Sequence, residues 1–200
     1  DNVNDALIHY EKAVSIRPTY AEAIFNIGVM YQELSEYNNA IKQYIKAIEI
    51  KPDYAEAYNN LGVSQKEIGI LEDSILSLNK SISIDPEYIE ANYNLGSTLL
   101  ESKKFNEALD QFRKTLSINP NYAEAHNNIG ITFKELSLFD DAIQSYENAL
   151  LINPKYSEAY NNLGNVLKVI GKPIEAIEKY NQALKIKPNY FEAYNNLGIT

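Results

Sequence analysis

Apolar residues recur at helical spacing along the chain, in blocks that are separated by short polar turns. Near the start, one block contains Ile24, Ile27 and Tyr31, and the next contains Ile41 and Tyr44. Spacings of three and four residues place such side chains on one face of an α-helix. The pattern therefore predicts pairs of amphipathic helices, which we name helix A and helix B in chain order.

The helix pair repeats with a period of 34 residues. Proline marks this period at Pro18, Pro52, Pro86, Pro120, Pro154 and Pro188. Glycine follows each proline at a constant distance, at Gly28, Gly62, Gly96, Gly130, Gly164 and Gly198. A fixed period of this length is typical of stacked helical hairpins.

We number the positions of a unit from Ala21, so that the recurring proline is position 32. Five complete units follow, with half units 1–20 and 191–200 at the ends: 21–54, 55–88, 89–122, 123–156 and 157–190. One hairpin cannot bury its apolar face alone, so successive units must stack. We therefore expect an all-α, right-handed α-solenoid that forms a single array over 1–200, with helix A on its inner wall.

The chain begins within a helix B and stops within a helix A, without the polar terminal repeat that closes a free-standing array. We therefore expect it to be a segment of a longer protein. Exposed half units at both ends also make self-association through the open ends an expectation.

The recurring glycine lies at position 8, inside helix A, where it costs about 1 kcal/mol relative to alanine. A close approach of helix B would offset this cost. Small residues in helix B, such as Ala40 and Ala47 in the first complete unit, favour this interpretation. We expect these small residues to face the glycine. Gly69 and Gly171, which follow helix A in two units, are predicted to end that helix.

Composition narrows the classes of partner. Acidic residues outnumber basic ones by 27 to 18, which gives a net charge of −9 and disfavours nucleic acid as a partner. No apolar run approaches the ~18 residues of a membrane-spanning helix, so no membrane association is expected. The absence of cysteine fits a reducing compartment, and we expect a soluble, cytoplasmic protein.

The pattern of large and small residues resembles the tetratricopeptide repeat, a helix–turn–helix unit of the same period. The unit 157–190 carries its typical residues at Tyr160, Leu163, Gly164, Ala176, Tyr180, Ala183 and Pro188. The unit 55–88 departs further, at Gln65, Ser74, Leu78 and Ser81. The resemblance covers the whole chain and implies a protein-binding scaffold.

Within this family, the block AEAYNNLG resembles the superhelical repeats of O-linked N-acetylglucosamine transferases and of related bacterial multi-repeat proteins. That resemblance implies that an asparagine at position 6 of helix A holds the backbone of an extended polypeptide. The matching ladder here consists of Asn26, Asn60, Asn94, Asn128, Asn162 and Asn196.

A side-chain amide offers both a donor and an acceptor, so a row of amides can bind a main chain whatever its side chains are. The alternative is structural, because each asparagine could instead bond to the neighbouring repeat. Both interpretations remain open from the sequence. Lysines at position 12 of the same face, Lys66, Lys134 and Lys168, are further candidate contacts in a groove of mixed charge.

Glutamate occupies position 2 of every unit, which could form an acidic strip for a basic peptide. Several of these glutamates stand three residues after a candidate N-cap, as Glu22 does after Thr19 and Glu56 after Asp53. That spacing predicts a capping box, in which the glutamate has a structural role. We favour this second interpretation.

Little in the sequence suggests catalysis. His9 and His126 lie far apart, and no phosphate-binding loop, metal-ligand spacing or nucleophile motif is present. We expect no enzyme activity, cofactor or metal. The function predicted first is a scaffold that binds a protein or peptide in its concave groove. The alternatives are the substrate-recruiting arm of a larger transferase, whose catalytic domain would lie outside this chain, and a spacer or self-assembly element.

Overall fold

A computed structural model describes residues 3–200, and all of the regular structure in this range is helical. Twelve helices follow one another within it: α1 (Val3–Ile16), α2 (Ala21–Glu33), α3 (Tyr37–Ile50), α4 (Ala55–Glu67), α5 (Leu71–Ile84), α6 (Ile89–Glu101), α7 (Phe105–Ile118), α8 (Ala123–Glu135), α9 (Phe139–Ile152), α10 (Ser157–Val169), α11 (Pro173–Ile186) and α12 (Phe191–Gly198). Even-numbered helices are the predicted helices A, and odd-numbered ones are helices B. The all-α prediction is confirmed.

Two compact units make up the chain, one ending at Lys103 and one spanning Lys104–Thr200. In the first unit, α2 packs against α3 and α4 packs against α5, with α1 and α6 at its ends. In the second, α8 pairs with α9 and α10 pairs with α11. The single continuous array over 1–200, and its handedness, stay predictions.

Helix B contributes the most deeply buried side chains. Ala40, Tyr44 and Ala47 of α3 are fully buried, and so are Tyr146 of α9 and Tyr180 of α11. These residues occupy positions 20, 24 and 27, which share one face of a helix. The 34-residue pattern therefore marks the residues that hold each hairpin together.

The position-8 glycine meets a large side chain rather than a small one. A Cβ added at Gly28 would lie 2.6 Å from Cε1 of Tyr44, and one at Gly164 would lie 2.6 Å from Cε1 of Tyr180. The close approach of helix B is thus present. The small residue Ser74 does face Gly62, because its backbone oxygen lies 3.1 Å from the added Cβ, but the nearest atoms in each described case belong to the large side chain at position 24. The expectation that small residues alone face the glycine is therefore wrong. The reason is that the ring at position 24 uses the space that a missing side chain leaves.

The turn from helix A to helix B follows one scheme in both compact units. Gly69 and Gly171 end their helices with φ of 80°, as predicted. At Gly69, the N–H bonds to the carbonyl of Lys66, and the next N–H, of Ile70, bonds to that of Gln65. This is a Schellman motif, which satisfies the last carbonyls of the helix. The same position is occupied with positive φ by Ser35, Lys103 and Ser137.

The turn from helix B back to helix A does not contain the predicted capping box. The N-cap residue is the tyrosine at position 34, such as Tyr20 and Tyr54, and it makes no side-chain capping bond. Because the helix starts one residue later than the box requires, Thr19 cannot reach its target. The turns are instead tightened before the proline in three units, where Asp85, Asn119 and Asn153 each accept the N–H two residues ahead.

Candidate functional site

Helices A lie side by side within each compact unit. In the first unit α4 contacts both α2 and α6, and in the second α10 contacts both α8 and α12. Positions 6, 9 and 12 occupy one face of these helices, because they are three residues apart. Their side chains are half-buried in nearly every repeat, and all six ladder asparagines are among them. Each unit therefore presents a partly exposed face that carries three of these amides.

Asparagines of successive repeats are joined by hydrogen bonds on this face. Nδ2 of Asn94 donates to Oδ1 of Asn59 at 2.9 Å. The same bond recurs in the second unit, where Asn162 donates to Asn127 at 3.1 Å and Asn196 donates to Asn161 at 2.9 Å. The acceptor is always the asparagine at position 5 of the preceding repeat, and these three acceptors are buried.

The donated bonds use only half of each ladder amide. Oδ1 of Asn94, Asn162 and Asn196 receives no hydrogen bond within residues 3–200, whereas Nδ2 is held by the neighbouring repeat. In these three residues, the amide nitrogen bonds to the neighbouring repeat, as the structural alternative predicts. The carbonyl oxygens remain available as acceptors.

A longer network surrounds Asn60 in the first unit. Nδ2 of Asn59 donates to Oδ1 of Asn60 at 3.0 Å, and Asn60 in turn bonds to the hydroxyl of Tyr44. That hydroxyl donates to Oε1 of Gln32 at 2.8 Å. Burial raises the pKa of Tyr44, and the bond from Asn60 opposes this in part. The face of this unit thus rests on a continuous set of paired polar groups.

The remaining ladder residues have other surroundings. Asn60 follows a repeat in which position 5 is Phe25, so no amide acceptor is present there. Asn128 accepts a bond from Asn127 at 3.3 Å. Asn26 is half-buried on α2. The ladder is therefore regular in sequence but varies in its hydrogen bonding.

The three candidate lysines are engaged within the chain. Lys66 lies 3.7 Å from the carboxylate of Glu67, and Lys134 lies 2.9 Å from that of Glu135. Nζ of Lys168 donates to the carbonyl of Ile199 at 2.8 Å. Exposed pairs of this kind contribute little to stability, so they can be exchanged for a ligand at small cost.

Glutamates at position 2 have partners in two repeats. Lys51 lies 3.8 Å from Glu22 and 4.2 Å above the ring of Tyr54. The bond from Ser157 and the ion pair with Lys187 hold the pKa of Glu158 below its ordinary value, although burial acts in the opposite direction. In the repeats that carry lysine at position 31, the glutamate at position 2 thus has a structural role. It forms an ion pair with that lysine and does not cap the helix.

The histidines and the surface depressions do not coincide with the ladder. His9 is exposed, and Nε2 of His126 lies 3.3 Å from the carbonyl of Pro120. Two depressions lie at A–B turns, one beside Ser35 and one beside Ser137. Within the described residues, no cluster of acidic, histidine or cysteine side chains could hold a metal, and no helix is long and apolar enough to cross a membrane.

Models of known protein families match several parts of the chain. A model described as TPR repeat covers residues 30–69, 96–137 and 170–200. Three models described as tetratricopeptide repeat cover residues 55–88, 77–110, 123–156 and 145–178. The chain belongs to the tetratricopeptide repeat (TPR) family. The resemblance to the tetratricopeptide repeat that was stated from the sequence is confirmed.

Solved structures are similar to this TPR chain over most of its length. The crystal structure of MamA has 28% sequence identity and a TM-score of 0.72, and the match covers 81% of this chain and 95% of that one. YrrB, described as a TPR protein with an unusual peptide-binding site, has 21% identity and a TM-score of 0.71, with coverages of 93% and 96%. PilF of Pseudomonas aeruginosa has 22% identity and a TM-score of 0.83, with coverages of 100% and 90%. No curated protein matched the chain.

The TPR fold supports a protein-interaction role, and it is typically a non-catalytic scaffold. At their low identities, YrrB and PilF establish the fold alone. What this chain binds must therefore be argued from its own residues.

Sequence reasoning missed the position-5 asparagines that hold the ladder. Their signal was available, because the pair Asn-Asn occupies positions 5 and 6 in four repeats: 59–60, 127–128, 161–162 and 195–196. Only the second residue of each pair was treated as a candidate. The stacking of repeats brings the first residue of one pair beside the second residue of the next.

Proposed function

We propose that this TPR chain is a protein-interaction scaffold that binds an extended polypeptide through its main chain. The binding surface in each compact unit is the face of helices A that carries the ladder asparagines, Asn26, Asn60 and Asn94 in one and Asn128, Asn162 and Asn196 in the other. The observation that carries the proposal is the fixed, unbonded carbonyl oxygen of Asn94, Asn162 and Asn196.

A preorganised acceptor favours binding because its orientation costs no further entropy when a ligand arrives. Each of these oxygens is oriented by the bond that its own Nδ2 makes to the preceding repeat. An N–H of an extended chain is the donor that such an oxygen fits, whatever the side chains of that chain are. Each of these three repeats thus supplies one acceptor at the same position of its helix A.

The lysines of the same face select among ligands by the side chains that these carry. Lys66 and Lys134 lie beside Glu67 and Glu135, so the face presents paired charges of both signs. A ligand with a charged side chain could replace either member of such a pair. Aliphatic residues at position 9, such as Val63 and Ile131, provide apolar contacts between the amides.

The test is a comparison of two triple variants. Binders are selected from a pool of random, unstructured peptides, and the tightest is measured against the wild-type chain by calorimetry. Replacing Asn94, Asn162 and Asn196 together with alanine removes the oriented acceptors of both units. Binding to the face of either unit should therefore weaken about three- to a hundredfold, the loss expected for one or two net hydrogen bonds.

The matched control replaces Asn106, Asn148 and Asn181, which are exposed on helices B, with alanine. This control should bind the peptide as the wild type does. Circular dichroism at the assay temperature ensures that both variants are folded. The proposal is wrong if no peptide is recovered, or if the folded ladder variant binds with unchanged affinity.

A further inference from the structure

Tyrosine occupies position 24 in three of the complete repeats, and its ring lies in the same place each time. Cε1 of Tyr44, Tyr146 and Tyr180 lies 2.6 Å from an ideal Cβ on the position-8 glycine of its own repeat. Cδ1 and Cζ are the next nearest atoms in all three cases. The three hydroxyls therefore point toward the same part of the helix A face.

Two of these hydroxyls find a partner on that face. Tyr44 donates to Oε1 of Gln32 at position 12, at 2.8 Å. Tyr180 donates to Oδ1 of Asn165 at position 9, at 2.9 Å. The hydroxyl of Tyr146 is fully buried and has no hydrogen-bond partner among the described residues.

The sequence of the fourth complete unit explains this difference. Position 9 is Ile131, which offers no polar atom, and position 12 is Lys134, whose ammonium group pairs with Glu135 at 2.9 Å. No acceptor therefore replaces Gln32 or Asn165.

A buried hydroxyl without a partner is unfavourable, and such groups are rare in folded proteins. Phenylalanine would avoid the penalty, since Phe112 is fully buried at the same position of another repeat. The ring alone is therefore enough for packing. A polar group supplied from outside the chain would give the Tyr146 hydroxyl a role.

By analogy with the first compact unit, Asn162 is the polar side chain expected beside this hydroxyl. In the first compact unit, the hydroxyl of Tyr44 bonds to Asn60, the ladder asparagine of the next repeat. Tyr146 and Asn162 stand in the same relation, sixteen residues apart as Tyr44 and Asn60 are. Oδ1 of Asn162 receives no hydrogen bond within the described chain, while its Nδ2 is held by Asn127.

We infer, building on the proposed function, that Tyr146 and Asn162 form one main-chain binding subsite for an extended polypeptide. The Tyr146 hydroxyl donates to a carbonyl oxygen of the bound strand, and Oδ1 of Asn162 accepts an N–H of the same strand. The pair matches the alternating acceptors and donors that a peptide backbone presents.

Access to this subsite requires one side chain to move. Position 12 supplies the partner of Tyr44, and in this unit that position is Lys134. By analogy with the first unit, we infer that the Lys134 side chain covers the hydroxyl. Lysine is long and flexible, and its partly exposed pair with Glu135 is weak. An entering strand can therefore displace it, and the ammonium group stays in solvent.

The experiment uses the full chain and the tightest peptide from the random, unstructured pool. Tyr146→Phe removes only the hydroxyl. We expect peptide affinity to fall roughly tenfold, the effect of one net hydrogen bond, while the melting temperature of the free protein is unchanged or higher. Methylating single backbone nitrogens of the peptide in turn should reveal one position at which the loss is as large as that of Tyr146→Phe.

Tyr180→Phe is the matched control in the same compact unit. It removes a hydroxyl that already has a partner, so it should lower the melting temperature and leave peptide affinity unchanged. Equal affinity of Tyr146→Phe and the wild type would overturn the subsite and leave the proposed function intact. A lowered melting temperature of free Tyr146→Phe with unchanged affinity would show that the hydroxyl serves the fold, and would also overturn it. Failure to recover any peptide would overturn the proposed function itself.

Discussion

Nδ2 of Asn162 donates a 3.1 Å hydrogen bond to Oδ1 of Asn127, which precedes it by 35 residues. The bond joins the ladder position of one repeat to the adjacent position of the repeat before it. Asn127 is buried, and its own Nδ2 donates to Asn128. The same side chain therefore stabilises the stack and orients the candidate binding residue.

Replacing Asn127 with alanine should destabilise the fold. The change leaves Nδ2 of Asn162 without its acceptor and removes the bond to Asn128, so the free energy of unfolding should fall by about 1–3 kcal/mol. Urea denaturation measures this loss. The control is Asn195→Ala, at the same position of the last repeat but exposed, where a change within about 0.5 kcal/mol is expected. Equal losses in the two variants would contradict the role assigned to the bond.

Alkaline pH should weaken the first compact unit through Tyr88. Burial, followed by the charges of Glu90, Glu56 and Asp85, raises the pKa of Tyr88 from 10.0 to about 12. Above pH 10.0 this tyrosine ionises in the unfolded chain but stays neutral in the folded chain. Its contribution to the free energy of unfolding is therefore fully present below pH 10.0 and is lost as the pH rises toward 12. The urea midpoint should decrease less across this pH range for Tyr88→Phe than for the wild type. A fall of equal size in both proteins would assign the effect to other groups.

Helix positions and the period were predictable because they depend on spacing along the chain. The close approach at position 8 was predictable too, since glycine inside a helix is costly and its recurrence needs a compensation. Which side chain fills the gap was not predictable, because Tyr44 reaches Gly28 only once both helices are packed. Local patterns therefore located the contact and packing selected its partner.

The hydrogen-bond partners of the ladder asparagines were likewise not predictable from the sequence. The bond from Asn94 to Asn59 depends on how two hairpins stack, and neither residue has a neighbour in sequence that indicates it. The predicted capping box is absent because the helix begins at Ala55, so that Tyr54 rather than Asp53 is the N-cap residue. Side-chain partners across repeats are a property of the stack.

Gly164→Ala should be strongly destabilising. The new methyl group would lie 2.6 Å from Cε1 of Tyr180, a fully buried ring that cannot move freely, so a loss of about 1–3 kcal/mol is expected. Gly198 is at the same position of the last repeat, and none of the described atoms lies within 4 Å of its added Cβ. Gly198→Ala should therefore leave the urea midpoint unchanged or raise it, because alanine is the better helix former. If the two variants lose the same stability, the contact with Tyr180 is not the cause.

Ser137→Gly should stabilise the second compact unit. Ser137 ends α8 with φ of 60°, a conformation that disfavours residues with a Cβ, whereas Gly171 adopts φ of 80° at the same position of the next repeat. Glycine relieves this strain but also increases the entropy of the unfolded chain, so the net gain should be about 0.5–1 kcal/mol. The reverse change, Gly171→Ser, should cost a similar amount, and thermal denaturation of both variants measures the pair. If backbone strain at this turn is the cause, the two changes in stability should have opposite signs and nearly equal size. A loss of stability in both variants would mean that the serine side chain contributes a contact of its own.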